Sequence, residues 1–191
     1  MSLDPRVASP RLALGKPPWE VLDRLFAAFP LRDPRVIMGP RVGEDAAVLD
    51  IGDRYLIAKV DPITFVAEEI GWYAVHINAN DLAVRGARPA WFLMTLLLPE
   101  GQADEARLAA IFGQVQEACR AIGASLVGGH TEVTRGLDRP ILAGASQDCA
   151  GRVISHIPSS IHDASFLRRT DFLYGNGAVG ILRIGFFRSR L

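Results

Sequence analysis

Four places in the chain carry polar residues that a plain helix or strand does not need. Glu44-Asp45 and Asp61 stand on the two arms of the apolar stretch VGEDAAVLDIGDRYLIAKVD. Asn78, Asn80 and Asp81 fall in INANDLAV, and Gly128-Gly129-His130-Thr131-Glu132 follows a short apolar run. Carboxylates brought face to face repel unless a cation lies between them. A hard divalent ion such as Mg²⁺ takes oxygen ligands, typically one or two carboxylates together with substrate phosphates. A Gly-Gly turn lets backbone N–H groups come close to phosphate. The combination points to a site for Mg²⁺ and a nucleotide. Taken singly, each has a plainer reading: a strand-end acid, a solvent-facing helical asparagine, a turn, a structural histidine.

The elements that must position these residues follow from spacing. Val42 to Asp61 reads as a hairpin, with strands near Ala46–Asp50 and Tyr55–Val60. A three-residue turn at Gly52–Arg54 places Asp45 opposite Asp61; a two-residue turn at Gly52-Asp53 places Glu44 there instead. Pro18 to Phe29 predicts a short helix, and Val36 to Met38 a short extended piece. Ile70 to Val84 predicts a helix whose apolar stripe is Trp72, Val75, Ala79, Leu82 and Ala83, ended by Gly86 and Pro89. Asn78, Asp81 and Arg85 are expected on its polar stripe. AWFLMTLLL, from Ala90 to Leu98, suits a strand covered on both faces. Ala103 to Ile122 predicts a second long helix, opened by Asp104 and Glu105. Ala124–Val127 is expected as a short strand leading into a Gly128-Gly129 turn, and Pro140–Ala145 as a last strand. The fold class is α+β, a mixed or antiparallel sheet covered by helices.

The balance of charge excludes some partners. With 21 basic and 21 acidic residues among 191, the chain has no net charge to attract nucleic acid or an anionic membrane. No apolar run reaches the roughly 18 residues of a spanning helix, and the N-terminus has no signal-peptide pattern. Cys119 and Cys149 are too few for a disulfide framework or a Cys-rich zinc site. These features suit a cytoplasmic protein. Lys16 in LGKPP is not a Walker lysine, because the upstream glycine and the following Ser or Thr are missing.

GEDAAVL, the Asp-Pro after a strand, NANDLAVRGARPAWFLMTLLLPEG and GASLVGGHTEVT together resemble the N-terminal domain of the AIR-synthase-related superfamily. Within it, the look is nearest to HypE-like hydrogenase maturation proteins. The resemblance covers about Leu14 to Gly144 and implies ATP with Mg²⁺ acting on an oxygen-bearing group. It implies Asp45, Asp61 and Asp81 as metal-binding acids, with Glu44 and Glu132 as lesser candidates. It implies that Asn80 and Gly128-Gly129, with His130 and Thr131, contact the nucleotide. It further implies a homodimer whose sheets form a barrel-like interface, maturation-factor partner proteins, and dehydration of a carboxamide to a nitrile.

The sequence departs from that pattern in three ways. Glu44 and His130 stand where the kinase members carry aspartates. The second α/β domain of the family is not evident, and the chain ends in FFRSRL with no terminal cysteine. The expected organisation is an irregular segment over 1–17, an ATP-binding domain over 18–145, and an atypical tail over 146–191. That tail reads as a frameshifted or truncated remnant of the second domain. Its alternative reading is a native tail with strands near Phe166–Tyr174 and Ala178–Phe187.

Overall fold

A computed structural model describes residues 11–151. The elements are α1 (Trp19–Ala28), β1 (Val36–Met38), β2 (Ala47–Asp50), β3 (Arg54–Ile63), α2 (Ile70–Ala83), β4 (Trp91–Pro99), α3 (Glu105–Ile122), β5 (Ser125–Thr134) and β6 (Ile141–Gly151). The strands form one mixed sheet in the order β1-β2-β3-β6-β4-β5. Only the β4–β5 pair is parallel, joined through α3; the other neighbours are antiparallel.

Alternation along the strands decides where the core lies. Phe92, Met94, Leu96 and Leu98 of β4, with Ile63 and Leu142, face Ile70, Ala74 and Val75 of α2 and Ile111, Val115 and Ala118 of α3. A second buried group joins Ala46, Val48 and Ile57 of the hairpin to Leu82 and Ala87. Asp104 caps α3 by accepting from the Arg107 backbone N–H at 2.7 Å. The first turn of α2 is capped from outside the helix, because the Gly71 N–H donates to Gln114 Oε1 of α3 at 3.0 Å. Such donors have no partner within their own helix.

The expected helices and three of the six strands, β1, β2 and β4, stand within a residue or two of the anticipated bounds, and β3 runs on three residues further than anticipated. Three expectations are corrected. Gly128-Gly129 is not a turn: β5 runs through it, with a register irregularity opposite Phe92–Leu93. A Cβ on Gly129 would lie 1.8 Å from the Met94 carbonyl oxygen, so the glycine allows a close approach of two strands. Asn78 does not share a polar stripe; it is fully buried. Finally, β6 does not stop at Ala145, because it continues pairing with β3 as far as Gly151. Residues 146–151, anticipated in the atypical tail, are therefore part of the sheet. The strands anticipated near Phe166–Tyr174 and Ala178–Phe187 lie outside the described residues, as do residues 1–10.

Candidate functional site

The hairpin closes on a two-residue turn, since Asp50 pairs with Tyr55 and the Ile51 N–H donates to the Arg54 carbonyl. Pairing ends at Ala47–Ala58. Beyond that point no strand among the described residues stands beside β3 on the β2 side. Asn78 of α2 fills the gap: its Oδ1 accepts from the Asp61 N–H at 2.8 Å, and its Nδ2 donates to the Asp61 carbonyl at 3.3 Å and to the Ala74 carbonyl at 2.8 Å. This amide fixes the backbone of a predicted site acid.

Three of the predicted acids converge, and a lysine stands among them. Lys59 Nζ lies 3.0 Å from Asp81, 3.2 Å from Asp61 and 3.6 Å from Asp45, with its side chain only 4% exposed. Burial on its own lowers an amine; the hydrogen bond to Asp81 and the charges of Asp81, Asp61 and Asp45 outweigh it, so the Lys59 pKa is raised. Burial lifts the Asp81 carboxyl above its usual value against the pull of Lys59. The acids at the open end of the hairpin are thus held by an ammonium group of the chain itself.

Glu44 goes elsewhere. Arg41 donates to it at 2.6 Å, and Arg85, in the turn just past the end of α2, pairs with its other oxygen. Burial and the nearby Arg41 depress the Arg85 pKa. The two clusters adjoin through the neighbours Glu44 and Asp45 and through the C-terminal end of α2, with Asp81 in its last turn and Arg85 just past it.

The remaining predicted residues lie apart from the acids. Gly128, Gly129, His130 and Thr131 line a shallow hollow with Met94, Leu126 and Phe112. His130 Nε2 is 3.3 Å from Glu132 Oε2, both exposed on the edge strand β5. One row across the sheet runs Asp61, Gly144, Met94, Gly129. Three strand spacings separate its ends, roughly 14 Å. Within the chain the carboxylates and the glycine strand are two places, not one pocket. Asn80 is partly buried on α2.

The donor set suits a hard divalent ion in type: three carboxylates less one ammonium leave a charge of −2. The place between them is taken by Lys59, and among the described residues no three His, Cys, Asp or Glu side chains are grouped to hold an ion. Lys59, Arg41 and the structural duty of Asn78 were not expected from the sequence. A lysine two residues before Asp61, in an otherwise apolar strand, was the available signal for the first.

Residues 43–147, more than half of the chain, match the family "AIR synthase related protein, N-terminal domain". The chain belongs to that family. A putative hydrogenase expression/formation protein of Methanocaldococcus jannaschii is 35% identical over 107 residues, 53% of this chain and 32% of the relative. Carbamoyl dehydratase HypE of Escherichia coli is 32% identical over 150 residues, 72% of this chain and 42% of the relative. The chain thus spans about a third to two fifths of the length of these curated relatives. The crystal structure of tt0281 from Thermus thermophilus superposes with a TM-score of 0.57 at 26% identity, covering 69% of this chain and 43% of that one. Thiamine monophosphate kinase of Aquifex aeolicus shares the fold, with a TM-score of 0.51 at 17% identity over 68% of this chain and 42% of that one. The family and the α+β fold anticipated from the motifs are borne out.

Proposed function

We propose that this is the ATP- and Mg²⁺-binding domain of a HypE-like hydrogenase maturation protein, a family whose chemistry is ATP-dependent dehydration of a carboxamide. The convergence of Asp45, Asp61 and Asp81 on the Lys59 ammonium carries the reading. The identity to a carbamoyl dehydratase and to a hydrogenase formation protein supports the choice within the family. In this reading the three aspartates hold Mg²⁺, which supplies charge neutralisation for the phosphates when bound. Asn80 and the Gly128–Thr131 strand contact the nucleotide. The roughly 14 Å between the acids and the glycine strand favours a site completed across a homodimer, with maturation-factor proteins as further partners. Thiamine-monophosphate-kinase-like phosphotransfer is the second reading, motivated by a kinase relative at 23% identity. His130, where the kinase members carry Asp, weighs against it.

Calorimetry with Mg-ATP tests the proposal. Binding should stabilise the fold by about 2.7 kcal/mol at 100 times the dissociation constant. Asp81→Asn should weaken Mg-ATP without loss of the fold, since it keeps the side-chain shape and removes one charge. Unchanged affinity in that variant removes Asp81 from the ligand set. No stabilisation of the wild type by Mg-ATP leaves a non-catalytic dimerising module as the surviving reading. Product analysis, nitrile against phosphate ester, separates the two enzymatic readings.

A further inference from the structure

We propose that Lys59 is a tethered cation that reserves the acid cluster for a metal–nucleotide complex and turns away the bare ion. The inference rests on the nucleotide reading above and assigns that site a selectivity. Asp45 precedes β2, Asp61 lies in β3 and Asp81 in α2, yet all three reach one nitrogen. The Lys59 side chain is almost wholly enclosed, so its ammonium cannot simply turn out into water. A divalent ion entering alone would set two like charges side by side in this cage, at a spacing where repulsion is strong.

A metal–nucleotide complex arrives differently. Its phosphates carry net negative charge and offer new acceptors to the ammonium as the carboxylates turn to the metal. Arg41, Arg85 and Glu44 add a net charge of +1, two guanidinium groups less one carboxylate, beside the same acids. That positive charge opposes a free cation and attracts phosphate. Both features select for an ion that brings its own anion. Lys59 is therefore a specificity-determining residue, a competitor of the free metal and a partner of the bound nucleotide.

The test compares the full chain with Lys59→Met, an unbranched neutral side chain of similar length. Mn²⁺ alone is titrated and followed by paramagnetic resonance, and thermal melting is recorded with and without Mn²⁺. Mg-ATP binding is measured in parallel. The variant is expected to bind free Mn²⁺ about tenfold tighter or more than the wild type, and its Tm should rise with Mn²⁺ where that of the wild type does not. If the variant is unfolded without an ion, Mn²⁺ should restore its fold. Lys59→Arg, which keeps the charge, should respond to Mn²⁺ as the wild type does. Mg-ATP should bind Lys59→Met more weakly than the wild type. A variant that binds free Mn²⁺ no tighter than the wild type, or is not stabilised by it, overturns the role of Lys59 and leaves the nucleotide reading intact. A wild type that fails to bind Mg-ATP overturns the nucleotide reading itself.

Discussion

Asp61 has its backbone held by the side chain of Asn78, where a neighbouring strand would otherwise stand. Replacing Asn78 by Leu keeps the volume and leaves both Asp61 backbone groups short of a partner, while the Ala74 carbonyl keeps its helical bond. A buried group stripped of its hydrogen bond costs about 1–3 kcal/mol, so Asn78→Leu should lower unfolding stability by roughly 2 kcal/mol or more in urea titrations. A loss under about 0.5 kcal/mol, the level of a neutral surface change, would show that the amide is dispensable. A second residue-scale effect concerns Cys119. Burial pushes its thiol from 9.0 up to about 11. The unfolded chain gives up this proton first, so the folded state binds more protons between pH 9 and 11. The stabilisation is fully present below pH 9 and is lost as pH rises towards 11, with a slope of at most about 1.4 kcal/mol per pH unit. Comparing urea midpoints of wild type and Cys119→Ala across that range isolates the thiol; parallel pH profiles would contradict it.

At the scale of elements, the parallel pair β4–β5 depends on Gly129. A Cβ there meets the Met94 carbonyl, carbon and nitrogen at 1.8–2.8 Å, all of them backbone. Gly129→Ala must push the strands apart and should destabilise by about 2–3 kcal/mol, the upper part of the range for a strained or overpacked site. Gly128→Ala meets only the tip of Leu93 at 4.0 Å and should cost less, through its φ of 157° alone. Equal denaturation midpoints for the two variants would remove the close approach as the reason. These glycines also show where the sequence stops being legible. α2, β4 and α3 could be read in advance because burial against one layer imprints a stripe, or a bounded apolar run, on the element itself. A Gly-Gly pair reads equally well as a turn, and what decides is the proximity of Met94, a fact about another strand. Lys59 was hidden for the same kind of reason. Its neighbours are fixed by how the hairpin and α2 meet, and nothing local in IAKVD states that three acids surround it. The acids themselves were legible as a group; the cation that gathers them in the chain was not.

For the whole molecule, the sheet is covered by α2 and α3 on one face only, among the described residues. The other face presents Leu49, Leu56, Ala58, Leu93, Leu97 and Ala145, all partly exposed, and Val60 at 60% exposure. A contiguous apolar sheet face of this kind marks an interaction surface. A second copy using the same strands would cover it with two-fold symmetry. The protein should sediment as a dimer at micromolar concentration, and Val60→Lys should shift it toward monomer while leaving circular dichroism unchanged. A monomer in the wild type would count against the pairing.

The place of β6 has a consequence for how the chain is made. It is the last described strand in the sequence, yet it lies between β3 and β4 and joins them. As the polypeptide leaves the ribosome, the hairpin and β4 emerge early with no shared partner. Their inner edges stay open until residues 141–151 arrive. The sheet is then closed by an insertion between distant segments rather than by extension at a rim. Such long-range pairing is slow to form, and the waiting halves are exposed to wrong partners meanwhile. Closure of this sheet accordingly waits for its last described strand.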